Sequence, residues 1–337
     1  MYKVIIHPNN LKFIEFYNRD NFHVILSNYG ASIYEIGSVD KRGVTETVTL
    51  SPIMIKYYNN PKFYGLTVGR VAGRLKDARF KIRDIPYRIN PNDGANLLHS
   101  GFHTLAHQIF DYNIDDFEDK TVVTYSIHVK DMEDSFPGDL DLRVVYTLYK
   151  DEDTLNVRYL AMSSKDTVLN ITNHSYFNLS GNLSRTIEDE YLSINKEKVG
   201  IMDEDLILER FMEVPKEFDF REPKKIGTHL KDKEIRELVT HGYDHIFSGT
   251  EPLKVTLHDK TSGRFLEITS TYKDVVIYTN NTKSDSVLLN QVFDKEYLGV
   301  AIEPGRYHKV LEKDGYLIKA NTLYNHEINY HFSVKGE

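Results

Sequence analysis

Thr121-Val-Val-Thr-Tyr-Ser-Ile-His-Val129, Leu142-Arg-Val-Val-Tyr-Thr-Leu-Tyr149 and Leu155-Asn-Val-Arg-Tyr-Leu160 follow one another along the middle of the chain. Each is dense in β-branched and aromatic residues and places polar residues at alternate positions, the period of a strand with one buried face. Between the first two lies Phe136-Pro-Gly-Asp139, which supplies the residues a reversal needs. The same pattern extends outward. Strand signals recur at Phe22-His-Val-Ile-Leu26, Lys254-Val-Thr-Leu257 and Phe265-Leu-Glu-Ile-Thr-Ser-Thr-Tyr272, and turn signals at Pro91-Asn-Asp-Gly94, Asp259-Lys-Thr-Ser-Gly263 and Lys313-Asp-Gly315. The best helical candidate, Lys231 to Thr240, is short and charged, and no alternation of strands with helices is visible. The expectation is an all-β chain, a large antiparallel β-sandwich with few short helices. With no linker, composition break or repeat of fixed period, residues 1–337 read as one domain.

Composition narrows the function. An apolar content of 40% fills a substantial core, and 23 Tyr and 17 Phe suit pleated, half-buried surfaces. The absence of cysteine excludes disulfides, thiolate metal sites and a cysteine nucleophile. A formal charge of −8 argues against nucleic acid, which calls for a basic stripe, and favours an uncharged small molecule. The N-terminal residues lack a basic stretch followed by an apolar one, and no apolar run is long enough to span a bilayer. A cytoplasmic protein that binds no membrane is expected.

Titratable residues gather beside glycines in five segments: Gly69-Arg-Val-Ala-Gly-Arg74, Asn92-Asp-Gly-Ala-Asn-Leu-Leu-His99-Ser-Gly101, Thr172-Asn-His174-Ser-Tyr-Phe-Asn-Leu-Ser-Gly181, Gly242-Tyr-Asp244-His245 and Val300-Ala-Ile-Glu303-Pro-Gly-Arg306. Each ends an apolar stretch, where a loop can present a side chain over a sheet. An imidazole lends and recovers a proton near neutrality, and a carboxylate becomes a useful base when partly desolvated. Blander readings stand beside these: Glu303 as a charge at a strand end, His174 as a core histidine, Asp244 as part of a turn or surface pair, and Arg74 as the partner of Asp77. His99, His103 and His107 have metal-like spacing, but Ser100-Gly101 opposes a helix there and no acidic residue lies within the run, so no metal is expected; the same holds for His241 and His245.

Taken in order, these segments resemble the aldose 1-epimerase (galactose mutarotase) family. The shared patterns are Gly-Arg-x-x-Asn-Arg-Ile, Leu-His-Gly-Gly, Asn-His-x-Tyr-Phe-Asn-Leu-x-Gly, a Val-Asp-His-x-Phe-like stretch and a late Leu-Glu-Thr-Gln. Phe136-Pro-Gly-Asp-Leu140, Phe218-Asp-Phe-Arg221, Ser262-Gly-Arg264 and Tyr278-Thr-Asn-Asn281 resemble further pieces, and the series runs from Asn28 to Phe332. The resemblance implies a mutarotase-like supersandwich that binds a free monosaccharide, galactose or glucose, with neither metal nor organic cofactor. It also implies roles: Glu303 as base at the C1 hydroxyl, His174 as acid at the ring oxygen, His99 as a second contact there, and Asp244 and Arg74 holding hydroxyls. From these roles follow two expectations: a cationic or readily protonated His174 beside an ionised Glu303, and a gap the width of a pyranose between them.

The sequence departs from the family in three places. Gly73 stands where the family has Asn, Val276 where many members carry a substrate-contacting Gln, and Pro304-Gly305-Arg306 where Thr-Gln is usual. Each lost amide removes a partner for a sugar hydroxyl. Two alternatives therefore stay open: a non-catalytic sugar-binding or sensing protein, and a hexose 6-phosphate 1-epimerase using Arg70, Arg74 and Arg306. A glycoside hydrolase built on Asp244 and Glu303 is also conceivable, but leaves His174 without a task.

Overall fold

The computed structural model describes residues 2–336 other than 20, 59, 233–241 and 313. Three antiparallel sheets carry the fold. The largest has nine strands, in the order Asp111–Asp116, Lys120–Val129, Leu140–Tyr149, Thr154–Ser163, Tyr324–Val334, Arg264–Ser270, Leu253–His258, Tyr191–Ile194 and Lys224–Lys225. A six-stranded sheet runs Tyr176–Phe177, Val300–Gly305, Asp274–Tyr278, Asp244–Ser248, Lys198–Met202 and Leu208–Glu213. The third is a five-stranded meander over residues 2–47.

The segments singled out above form the centre of the large sheet. Along Leu140–Tyr149, alternate residues are buried from end to end, and Leu142, Val144, Tyr146 and Leu148 on one strand meet Leu155, Val157 and Tyr159 on the next in one apolar cluster. That cluster also takes in Val24, Leu26 and Ile36 from the meander and Phe247, Val275, Ile277, Val300 and Ile302 from the six-stranded sheet. The three sheets thus share one core, and each fully buried aliphatic side chain in it contributes roughly 1.5–3 kcal/mol. The turns at residues 136–139 and 259–263 join antiparallel neighbours, as their Gly and Asp content requires.

Helical structure among the described residues is confined to 3-10 turns of three to five residues. The helical candidate Lys231 to Thr240 falls, from residue 233 onward, outside the described residues. Among the described residues, no helix is long and apolar enough to cross a membrane.

Two buried arginines tie loops to this frame. Arg70 is fully buried and donates to Asp134 (2.6 Å), to the carbonyls of Pro137 and Gly138 and to the hydroxyl of Thr167. Arg264 donates to Glu46 (2.7 Å) and to the carbonyls of Ser38 and Val44. With every guanidinium nitrogen hydrogen-bonded inside the protein, both serve the scaffold.

Candidate functional site

The period-two alternation of the six-stranded sheet separates core from site. Val300 and Ile302 point into the shared core, so Glu303 between Ile302 and Pro304 points to the opposite face. Register then builds two rows on that face. Asp244 lies opposite Tyr278, which lies opposite Ala301, which lies opposite Tyr176; one step along, Ile246 lies opposite Val276, and Val276 opposite Glu303. These rows floor a cavity of about 250 Å³, lined also by Arg74, His99, His174, Phe63, Lys62 and Tyr307.

Loops close over the floor. His174 follows the short strand Thr172–Asn173, and its backbone exchanges hydrogen bonds with Leu66 and Gly65. Asn173 tightens this turn, accepting from the Ser175 N–H (3.0 Å) and donating to the Gly65 carbonyl (2.8 Å). His99 sits at φ 48°, the first of three successive left-handed residues with Ser100 and Gly101. The His99 N–H donates to the Gly73 carbonyl (3.0 Å), while the Gly73 N–H donates to His99 Nδ1 (3.3 Å). This zipper leaves Nε2 as the nitrogen free to meet a ligand.

All five residues expected from the sequence line this one cavity: Arg74, His99, His174, Asp244 and Glu303. His174 Nε2 stands 3.3 Å from Glu303 Oε1, and the rings of His99 and His174 meet edge to face at 5.1 Å. Arg74 pairs with Asp93 (2.7 Å) and not with Asp77, whose N–H donates to Asn96. The other two arginines of the phosphate reading lie elsewhere: Arg70 in the core, and Arg306 against the Leu169 carbonyl and the Tyr324 ring. Lys62, the second cation lining the cavity, pairs with Asp294 (2.7 Å). Of the His99, His103 and His107 run, His103 and His107 end separate 3-10 turns and His99 precedes both, with His103 exposed and His107 stacked on Phe63.

Two expectations are corrected. Burial pushes the Glu303 carboxyl well above the usual range, helped by the negative charge of Asp244 and opposed by Arg74. Burial pushes His174 down to about 4, and holds His99 well below 6.5 with help from the charges of His174 and Arg74. A resting pair of cationic His174 and ionised Glu303 is therefore disfavoured, because a low-dielectric wall penalises both charges. Nor are the two groups a pyranose width apart; they stand side by side. Asp244 is also raised by burial, against the pull of Arg74.

His99, His174 and Glu303 form a two-histidine, one-carboxylate group whose potential ligand atoms lie within 4.8 Å of one another. An ion here would need the lone pair of His99 Nε2, but Nδ1 already accepts from the Gly73 N–H, so neutral His99 carries its proton on Nε2 and offers a donor to a substrate oxygen. Sequence reasoning did not single out Asp93, Phe63 or Tyr307. Asp93 had a signal, the Asn-Asp-Gly turn; the aromatics had none, since a cavity aromatic and a core aromatic look alike in one dimension.

The chain is similar to known proteins along most of its length. A family model described as Aldose 1-epimerase matches residues 12–331. Galactose mutarotase of Rattus norvegicus is 30% identical over 328 residues, covering 94% of this chain and 92% of its own. Aldose 1-epimerase of Haemophilus influenzae is 28% identical over 295 residues, 85% of this chain and 84% of its own. The crystal structure of galactose 1-epimerase from Lactobacillus acidophilus NCFM superposes with a TM-score of 0.86 at 25% identity, covering 100% of this chain and 99% of that one.

Proposed function

Because the chain belongs to the aldose 1-epimerase family of isomerases, we propose that it interconverts the α and β anomers of a free aldohexose by opening and reclosing the ring. The observation that carries the reading is the side-by-side placement of His174 Nε2 and Glu303 Oε1, 3.3 Å apart. The anomeric hydroxyl oxygen and the ring oxygen are bonded to the same carbon, so a base for one and an acid for the other must be neighbours.

Glu303 accepts the proton of the C1 hydroxyl while His174 donates one to the ring oxygen. The bond from C1 to the ring oxygen breaks and an aldehyde forms. Rotation about the C1–C2 bond and reversal of both transfers close the ring on the other face. The pair holds one proton throughout: burial favours it on Glu303 at rest, and opening proceeds from the minor form that carries it on His174, returning it to Glu303. Burial, which raises Glu303 and lowers His174, makes the carboxylate a stronger base and the imidazolium a stronger acid, which favours both transfers in the opening direction and opposes them equally in closure. His99 adds a hydrogen bond at the ring oxygen, and Asp244 and Arg74 hold hydroxyls.

A sugar phosphate is served poorly, because both cations lining the cavity are already paired with carboxylates. Polarimetry of freshly dissolved α-D-galactose and α-D-glucose with catalytic amounts of protein is the test. Acceleration of both decays toward an unchanged endpoint supports the enzyme, whereas an unchanged rate turns the reading to the non-catalytic sugar binder.

A further inference from the structure

Tyr307 stands in the cavity wall only 2% exposed, and its hydroxyl is buried with no hydrogen-bond partner. Two glycines make the slot for its ring. A Cβ on Gly305 would come within 2.5 Å of the ring, and one on Gly73, at φ 84°, within 3.2 Å. These are two of the places where the sequence departs from its family. The chain on either side of Tyr307 is pinned. The Arg306 N–H donates to Asn170 Oδ1 (2.7 Å), and the Asn170 amide donates to the Ala72 carbonyl (3.1 Å), tying the segment to the Gly73 turn. The His308 N–H donates to Asp274 Oδ2 (2.7 Å), whose other oxygen accepts from Ser248 (2.7 Å).

The ring belongs to the same apolar cluster as Leu208 and Ile246, with Val276 and Val310 packed against it. Its hydroxyl is close enough to Glu303 to feel that carboxylate's charge, with Tyr316, Asp274 and Tyr324 also near enough to act on it. A buried hydroxyl held rigidly without a partner is costly unless a ligand completes it.

Resting on the sugar reading above, we infer that Tyr307 is a substrate-contacting, specificity-determining residue: its hydroxyl bonds one ring hydroxyl of an aldose whose C–H face lies against Leu208, Ile246 and Val276. The contact takes over work that an amide at position 73 or 276 would do.

The experiment compares wild type with Tyr307→Phe on D-galactose and its 2-, 3-, 4- and 6-deoxy forms, by polarimetry and by saturation-transfer NMR binding. On D-galactose, kcat/KM falls about 3- to 10-fold, the loss of one neutral hydrogen bond. On the deoxy sugar that lacks the contacted hydroxyl, the two proteins are equal. The melting temperature does not fall, since the hydroxyl has no protein partner to lose. Equal kinetics on every sugar, or the same loss on every sugar together with a lowered melting temperature, overturns the inference. If wild type accelerates none of these sugars, the enzymatic reading fails by itself. Binding then decides: D-galactose binding weakened in Tyr307→Phe but one deoxy sugar unaffected supports the contact, and equal binding refutes it.

Discussion

Val276 and Glu303 lie directly opposite each other on neighbouring antiparallel strands, so the nearest cross-strand neighbour of the buried carboxylate is an aliphatic side chain. Cross-strand partners stand about 4.5–5.5 Å apart, within reach of a shared ligand. The sheet therefore desolvates Glu303 from the side while leaving that part of the cavity floor without a polar group.

Substituting Val276→Gln places an amide beside Glu303 and within reach of a sugar hydroxyl. KM for D-galactose should fall about 3- to 10-fold, the gain of one hydrogen bond, and the Glu303 carboxyl should titrate lower because an amide N–H favours its charged form. Steady-state polarimetry checks this; a raised KM would show that the ligand lies away from Val276.

His174→Asn removes the proposed acid while keeping a polar side chain. The expected loss in kcat is about 100- to 10,000-fold. Because His174 Nδ1 has no hydrogen-bond partner, the melting temperature should change little. A variant with undiminished mutarotation would remove His174 from the mechanism.

Activity should depend on pH through the shared proton. A second proton reaches the pair as the pH falls through about 4, the value to which burial pushes His174, so kcat/KM drops below that point. The alkaline limb reports loss of the single proton, at the raised pKa of Glu303, and should vanish in Glu303→Gln along with most activity. An acid limb near 6.5 would mean that His174 is solvated in the working enzyme.

Fold stability carries its own pH signature. Burial holds His174 to about 4 and His245 to about 3, and His99 lies well below 6.5. In the unfolded chain these imidazoles titrate near 6.5. With folded values depressed, the unfolded imidazoles bind more protons, so these rings' contribution to stability is full above 6.5 and declines as the pH falls from there toward about 4. NMR of the imidazole C–H signals of the folded protein at about pH 5 should show these rings neutral; protonated rings would contradict their burial.

The strands were legible because alternation is local. Thr121–Val129, Leu142–Tyr149 and Leu155–Leu160 each carry their own record of which face is buried, and the structure reads them as written. The five polar site residues were legible through their motifs. Asp93 was overlooked because pairing with Arg74 crosses a turn whose path no local pattern describes, and Tyr307 because the slot that admits it is made by glycines far apart in the chain. The charge states were misjudged for a related reason: a pKa depends on how completely neighbours exclude water, and those neighbours come from separate segments.

What the sequence by itself determined is direction. In Val300–Gly305, side chains on successive residues point to opposite faces, so apolar Ile302 beside Glu303 already commits the carboxylate to the side away from the core. What only the tertiary structure decided is company. His174, Val276, Asp244 and Tyr307 reach Glu303 because sheet register and loop closure bring distant segments together, and the free energy that selects one register is summed over the whole shared core rather than stored in any of the segments it aligns.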